Sequence, residues 1–298
     1  MEKTSVRKGA SIGRLAGRRP RIRVRPSMVF LYVFMILLVL FTALPLVYMI
    51  STAFKPLDEL YIYPPRFFVR RPTMQNLSDL LIALGSSSVP FLRYIFNSLV
   101  ITLATVLTTV LVSSMAAYGI VKHRPPGSRL LFNLVVAALM FSTHVTQIPR
   151  YMVVNALGLI DSYWALILPN IAVAYNLFLM KQFTDQFPDA LLEAARIDGA
   201  GERTIFIRIV MPALSPAWAT LVVFSFVSSW NDYFSPLIFT SSQTMKTLPL
   251  ALQTIGSASL GRAGAAAAAA FLMIIPTIIL FTAMQSKVME TMVHSGIK

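Results

Sequence analysis

The chain has 298 residues, 56% of them apolar and only 13% charged. An ordinary soluble domain carries about 25% charged residues, so the deficit excludes a soluble globular protein and places the chain among membrane proteins. The net charge is +14 and there is no cysteine, which excludes a disulfide framework, a thiolate metal site and a cysteine nucleophile.

Residues 1–27 form a basic tail in which Glu2 is the single acid. That composition also describes an organellar transit peptide, but a retained cytoplasmic tail is what topology requires here, and the apolar stretch that follows is too long for a secretory signal core. Six stretches free of Asp, Glu, Lys and Arg then run over 26–54, 94–121, 130–149, 162–180, 209–231 and 263–286, each at least 19 residues long. A bilayer core about 30 Å thick takes roughly 20 helical residues, so six helical spans fit and a β-barrel, with its short alternating segments, does not. With the N-terminus inside, the cytoplasmic segments hold 18 Lys/Arg and the opposite side 8. The positive-inside rule is satisfied with both termini cytoplasmic, and it accounts for the basic residues without nucleic acid.

The first span is expected over 28–50, with Pro45 near its outer end. Segment 51–92 follows on the outer face and carries Tyr61, Tyr63, Pro64, Pro65, Phe67 and Phe68, a mixture that suits the membrane interface. The second span covers about 95–118 and is ended by a basic turn containing Pro125 and Pro126. The third covers about 129–149, and the fourth about 163–181 with a kink at Pro169 and Asn170. The fifth covers about 216–238, and the sixth about 263–286 with Pro276 inside it. A run of alanines opens the sixth span, and small residues of this kind let membrane helices approach closely. No strand-rich segment and no separate soluble domain are expected.

Between the fourth and fifth spans, residues 183–213 hold five acids and three arginines. Pro188 stands where a first helical turn tolerates proline, a short helix is expected over 189–198, and Gly199 and Gly201 supply a turn in which positive φ is free for glycine. A second amphipathic stretch, 202–210, offers Ile205, Phe206 and Ile209 as an apolar face and leads to Pro212. Generic cytoplasmic loops are basic; this one is rich in acids and suits contact with a soluble partner.

Several chemistries are missing. There is no phosphate loop of the G-x-x-x-x-G-K-[ST] type, no H-E-x-x-H helix and no G-x-S-x-G elbow. His123, His144 and His294 are far apart and lack metal-site spacing, so they read as interfacial or packing residues. Within the spans, Asp232 is the one acid or base that qualifies as intramembrane, and a coupled carrier usually has more. Asp232 is either an interfacial carboxylate or part of a solute path with Trp230, Asn231 and Tyr233. The helices therefore hold no energy source of their own, and the chain is not expected to be an enzyme.

The spacing Glu193-Ala194-Ala195, Gly199, then Ile209-Val210-Met211-Pro212 resembles the "EAA" loop of inner-membrane permeases from binding-protein-dependent ABC importers. Further phrases of the carbohydrate-importer branch, the kind of the second permease subunit of maltose transporters, occur in order: Asn97-Ser98-Leu99, Ala116-Ala117-Tyr118-Gly119, Leu157-Gly158-Leu159, Trp230-Asn231-Asp232 and Gly296-Ile297-Lys298. The resemblance covers about 28–298, and Met211 departs from it where the family usually has Leu. It implies an all-α permease domain over 28–298 that imports a sugar or similar polar solute. It also implies that the loop docks an ATPase subunit through Asp189, Ala190, Glu193, Ala194, Ala195, Arg196, Asp198, Gly199, Ala200 and Pro212. The expected partners are a homologous second permease, two ATPase subunits that bind ATP and Mg, an external solute-binding protein and membrane lipids. This chain itself is expected to hold no cofactor and no metal. A stand-alone channel or secondary carrier, and a membrane enzyme without a transport role, are the competing readings.

Overall fold

The structure is a computed structural model that describes residues 26–85, 89–256 and 263–296. The basic tail before residue 26 and the terminal Ile297-Lys298 lie outside the described residues. The described residues divide into two units, one up to residue 47 and one from residue 48 onward. Helix α1 (Pro26–Ala53) begins in the first unit as an uninterrupted 28-residue helix that accepts Pro45 within it. At 1.5 Å per residue it is about 42 Å long, more than a bilayer core requires.

In the second unit the chain continues through α2 (Leu57–Leu60), α3 (Gln75–Gly85), α4 (Phe91–Tyr118), α5 (Ser128–Ala138), α6 (Thr143–Ala156), α7 (Tyr163–Ile171) and α8 (Ala174–Asp185). It then runs through α9 (Asp189–Ile197), α10 (Glu202–Ile205), α11 (Met211–Ala213), α12 (Ser215–Trp230), α13 (Phe234–Phe239), α14 (Leu248–Gly256) and α15 (Ala263–Gly296). Two five-residue π-helical turns, Gly119–His123 and Phe206–Val210, extend α4 and join α10 to α11. No strand occurs among the described residues.

Helix α4 is the axis of the unit: it packs on α7, α8 and α12, and α12 packs in turn on α15. Its buried face includes the small hydroxyl residues Ser98, Thr102, Thr105, Thr109, Ser113 and Ser114, which let neighbouring helices approach closely. These hydroxyls also supply hydrogen bonds at depth. Thr109 Oγ1 donates to the Asn170 carbonyl at 3.1 Å, close to the break between α7 and α8. Open backbone inside a membrane is tolerated only where such partners, or a cavity, satisfy it.

Three expected spans are corrected. The third is not one helix: α5 and α6 meet at 113°, because Ser142 adopts an extended backbone and restarts the helix at Thr143. The fourth is broken after Ile171, with a 41° bend between α7 and α8, two residues beyond the expected Pro169–Asn170 kink. The fifth ends at Trp230 rather than 238. The Asp232 carboxylate accepts the Ser235 backbone N–H at 3.0 Å and starts α13 as a separate turn of helix. By length and composition, three described helices can cross a membrane, and six spans are reached when each bent pair counts as one.

Segment 51–92 is more ordered than an interfacial loop. Lys55 is buried, donates to the Arg66 carbonyl and lies 4.9 Å from the centre of the Tyr48 ring. Glu59 is also buried and accepts the Arg70 and Arg71 backbone N–H groups, each at 3.1 Å. Asn76 donates to the Ala53 and Lys55 carbonyls at 3.0 and 2.7 Å, which closes the end of α1. A Cβ on Gly264, at the start of α15, would come within 2.3 Å of Asn76 Oδ1. Gly264→Ala is therefore expected to push Asn76 off those carbonyls. Overpacking of this kind costs about 1–3 kcal/mol, read as a lower thermal unfolding midpoint of the detergent-purified protein. An unchanged midpoint would show that Asn76 can step aside freely.

The loop between α13 and α14 is held by three residues distant in sequence. Asp161, itself at φ +60°, accepts the backbone N–H groups of Ser241 and Ser242 at 3.0 and 3.1 Å. Asn97 is fully buried and donates to the Thr244 and Lys246 carbonyls, both at 2.8 Å, while Ser98 Oγ accepts the Leu248 N–H at 2.8 Å.

Candidate functional site

Two features of the second unit are candidates: the charged segment around α9 and a polar cavity among α4, α7, α8 and α12.

The charged segment folds as a helix and a tight C-terminal turn. Asp189 opens α9 directly after Pro188, and Arg196 lies in its last turn, as charge and dipole favour. The helix ends in a Schellman motif: Gly199 N–H donates to Arg196 O at 3.0 Å and Ala200 N–H to Ala195 O at 2.9 Å. Gly199 sits at φ +81°, the left-handed conformation that glycine adopts without strain. Gly201 was expected to share that role; it does not, since its φ is −72° and it precedes α10 as an extended residue. The same C-terminal turn closes α6, where Gly158 at φ +66° donates to Asn155 O and Leu159 to Val154 O.

Amphipathicity fixes which face of α9 is inward. Leu192 and Ala195 are buried against Tyr118, Met180, Phe187, Ile205 and Val210, with Phe206 and Ile209 packed beside them. Ala195, expected on the contact face, is only 8% exposed, so its methyl group packs on the bundle. Ala190, Glu193, Ala194 and Asp198 are exposed, and Ile197 is 86% exposed. Ala200 is half-buried on the same apolar cluster, and Pro212 is exposed in α11. Asp189 and Arg196 face charged partners of this chain: Asp189 accepts from Lys122 Nζ at 2.6 Å, and Arg196 Nε donates to Glu202 at 2.8 Å. The Lys122 hydrogen bond and charge hold the Asp189 carboxyl below its ordinary range. The Arg196 and Tyr118 hydrogen bonds do the same for Glu202. Both therefore stay ionised at neutral pH. Their contributions are present above the ordinary carboxylate pKa and are lost as pH falls through the lowered values.

The four residues proposed as a solute path separate. Trp230 is core: it is 3% exposed, stacks on Phe226 and donates Nε1–H to the Met273 carbonyl at 3.0 Å. Asn231 and Tyr233 line a cavity of about 410 Å³ beside Ala266, Ala269 and Ala270 of α15. Asp232 lines a different cavity of about 180 Å³, together with Thr105 of α4, Asn170, Val173, Tyr175 and Asn176 of the α7–α8 break, and Ser225, Ser228 and Ser229 of α12. Of its lining residues, Thr105 and Ser225 have buried hydroxyls with no hydrogen-bond partner in the chain. Buried hydroxyls are rarely left so, and such a pair marks a place for water or a polar ligand. The unwound backbone at Ala172–Val173 borders this space, as irregular backbone at membrane depth does where it lines a cavity.

Arg150, one residue beyond the expected end of the third span, belongs to the same neighbourhood. It donates at 2.9 Å to Oδ1 of Asn170, a residue that lines the cavity, and stacks over the Phe239 ring at 5.8 Å. A lone charge directly after the charge-free run 130–149 was the available signal. Among the described residues no group of three or more His, Asp or Glu side chains could hold a metal ion.

Comparison with known proteins identifies the chain at family level. The model of the family "binding-protein-dependent transport system inner membrane component" matches residues 109–288. The sn-glycerol-3-phosphate transport system permease protein of Yersinia enterocolitica is 36% identical over 234 residues, 78% of this chain and 83% of that protein. The arabinooligosaccharides transport system permease protein of Bacillus subtilis is 30% identical over 268 residues, 90% of this chain and 95% of that one. A bacterial ABC transporter involved in the import of the acidic polysaccharide alginate shares the fold, with a TM-score of 0.76 at 22% identity, over 88% of this chain and 97% of that one. An all-helical chain whose broken helices surround a polar cavity, matched over these lengths, belongs to the inner-membrane permease components of binding-protein-dependent ABC transport systems.

Proposed function

We propose that this permease is one of a pair of membrane subunits in an ATP-driven importer of a hydroxyl-rich solute, with both termini in the cytoplasm and α9 as the element that docks an ATPase subunit. The cavity carries the transport reading. Its lining sets hydroxyl and amide groups and one carboxylate beside the apolar Val173 and Phe224, two of the hydroxyls lack partners, and it lies where α7 and α8 part. Such a lining suits sugar hydroxyls, which both donate and accept. Relatives named for arabinooligosaccharides, for polygalacturonan and rhamnogalacturonan, and for sn-glycerol 3-phosphate support a polyhydroxy solute. The docking reading is supported by the exposed Ala190, Glu193, Ala194 and Ile197 on a helix whose other face is fixed to the bundle. ATP and Mg are bound by the partner, and the external binding protein delivers solute from the side opposite α9.

The test is uptake in cells carrying the complete importer, with arabino-oligosaccharides, galacturonan oligosaccharides and sn-glycerol 3-phosphate as the panel. Uptake of at least one is expected to require ATP and to fall about tenfold or more in Ser229→Phe, which fills the cavity, while an ATPase subunit still co-purifies. Uptake that persists after ATP depletion, with no ATPase in the purified complex, would favour the stand-alone carrier.

A further inference from the structure

Helix α9 is held by side chains from one short stretch of α4 and the π turn that continues it, directly at its N-terminal end and through Glu202 of α10 at its C-terminal end. At the N-terminal end, Lys122 Nζ donates to the Phe187 carbonyl and to Asp189 Oδ1, each at 2.6 Å. The Lys122 side chain is only 4% exposed, so its charge is withdrawn from water and committed to these partners. At the C-terminal end, Glu202 receives three groups. Tyr118 OH donates to Oε2 at 2.7 Å, Arg196 Nε donates to Oε1 at 2.8 Å, and His123 Nε2 lies 3.5 Å from Oε2. Residues 118 and 122 are one helical turn apart and share a face. The π turn Gly119–His123 adds the fifth residue to that face, which sets His123 edge-on to Tyr118 at 5.2 Å. Beside it Tyr118 meets Phe206, the first residue of the second π turn, at 5.5 Å.

We propose that Lys122 and Tyr118 of the α4 end, with Asp189, Arg196 and Glu202, are positioning residues that form a two-point latch, through which displacement of α9 is passed to α4. Helix α4 carries Thr105 in the wall of the cavity, so a shift of its charged end is delivered to the space beside Asp232. The latch rests on the reading that α9 docks the ATPase, but it makes a separate demand: α9 must move with α4 as one body. Apolar packing alone would let α9 slide, because dispersion contacts have no direction, whereas paired charge-assisted hydrogen bonds fix both ends.

The test uses the full complex purified with its ATPase and spin labels on cysteines introduced at Met115 of α4 and Ile197 of α9; the chain has no cysteine of its own to interfere. In the unmutated complex the distance between the labels is expected to be sharp and unchanged between the nucleotide-free and ATP–vanadate states. Lys122→Met with Tyr118→Phe keeps the side-chain volumes and removes three hydrogen bonds. It is expected to retain the ATPase and to raise the population of displaced α9 about tenfold, seen as a second, nucleotide-dependent distance. Asp189→Asn, which weakens the first point from the other side, is expected to give a smaller shift in the same direction. If the double variant holds its ATPase and shows the unmutated distance in both states, the latch is overturned and the docking reading stands. If the unmutated chain holds no ATPase, the docking reading falls and the latch with it.

Discussion

Gly199→Val is expected to abolish transport while the chain still reaches the membrane at near-normal abundance. Gly199 is the left-handed residue of the Schellman turn that ends α9, at φ +81°. Beyond its own chain neighbours no atom lies within 4 Å of where its Cβ would stand, so the penalty is conformational and not a collision. A left-handed backbone costs an L-residue about 1–2 kcal/mol, and a β-branched side chain is the worst fit. The turn escapes that cost by unwinding. Arg196 and Ala195 then lose their capped carbonyls, and Arg196 no longer reaches Glu202 in register. The six apolar stretches are untouched, so insertion proceeds. Gly199→Asn is the informative comparison, because asparagine tolerates the left-handed region and is expected to keep most of the activity. Glu193→Ala is expected to be milder still, since an exposed ion pair with a partner contributes little. Uptake and ATPase co-purification, both normalised to membrane abundance, decide the matter: wild-type uptake by Gly199→Val would mean the turn is not a rigid coupling element.

Asn97→Ala is expected to give a large loss of stability. Asn97 is fully buried; its amide donates to the Thr244 and Lys246 carbonyls at 2.8 Å and accepts the Tyr163 hydroxyl at 2.7 Å. Truncation strands these groups away from water, and each buried group left without a partner costs about 1–3 kcal/mol. The loop joining α13 to α14 then loses its tie to α4. The thermal midpoint of the purified protein is expected to fall by roughly 5 °C or more. Tyr163→Phe removes one of the three bonds and is expected to lower it by less. Equal midpoints for Asn97→Ala and the unmutated chain would show that Ser98, which accepts the Leu248 N–H, holds the loop alone.

The sequence by itself determined the class of the protein, because continuous apolar runs and a scarcity of charge leave no soluble alternative. It also determined the short helix after Pro188 and its glycine stop, since local chemistry decides both: proline suits a first turn, and glycine alone enters the left-handed region freely. The family was readable from the same segment and from the phrases around it, and for two of those phrases the structure supplies the reason. Asn97-Ser98 holds the α13–α14 loop, and Gly158 closes α6.

The tertiary structure decided what local chemistry cannot. The 113° turn between α5 and α6 lies in an apolar run with no glycine or proline at the bend, so nothing in the local sequence marks it. The face of α9 that is buried depends on where Met180, Ile205 and Val210 arrive from other segments, which is why Ala195 turned inward. Trp230 and Asp232 are neighbours in sequence, yet the end of α12 between them sends one into the core and the other to the cavity. Lys122 and Arg150 each met their partners across long separations, Asp189 in one case and Asn170 in the other. A charge in an apolar chain must find a partner or water, but which partner it finds is settled only when the helices pack.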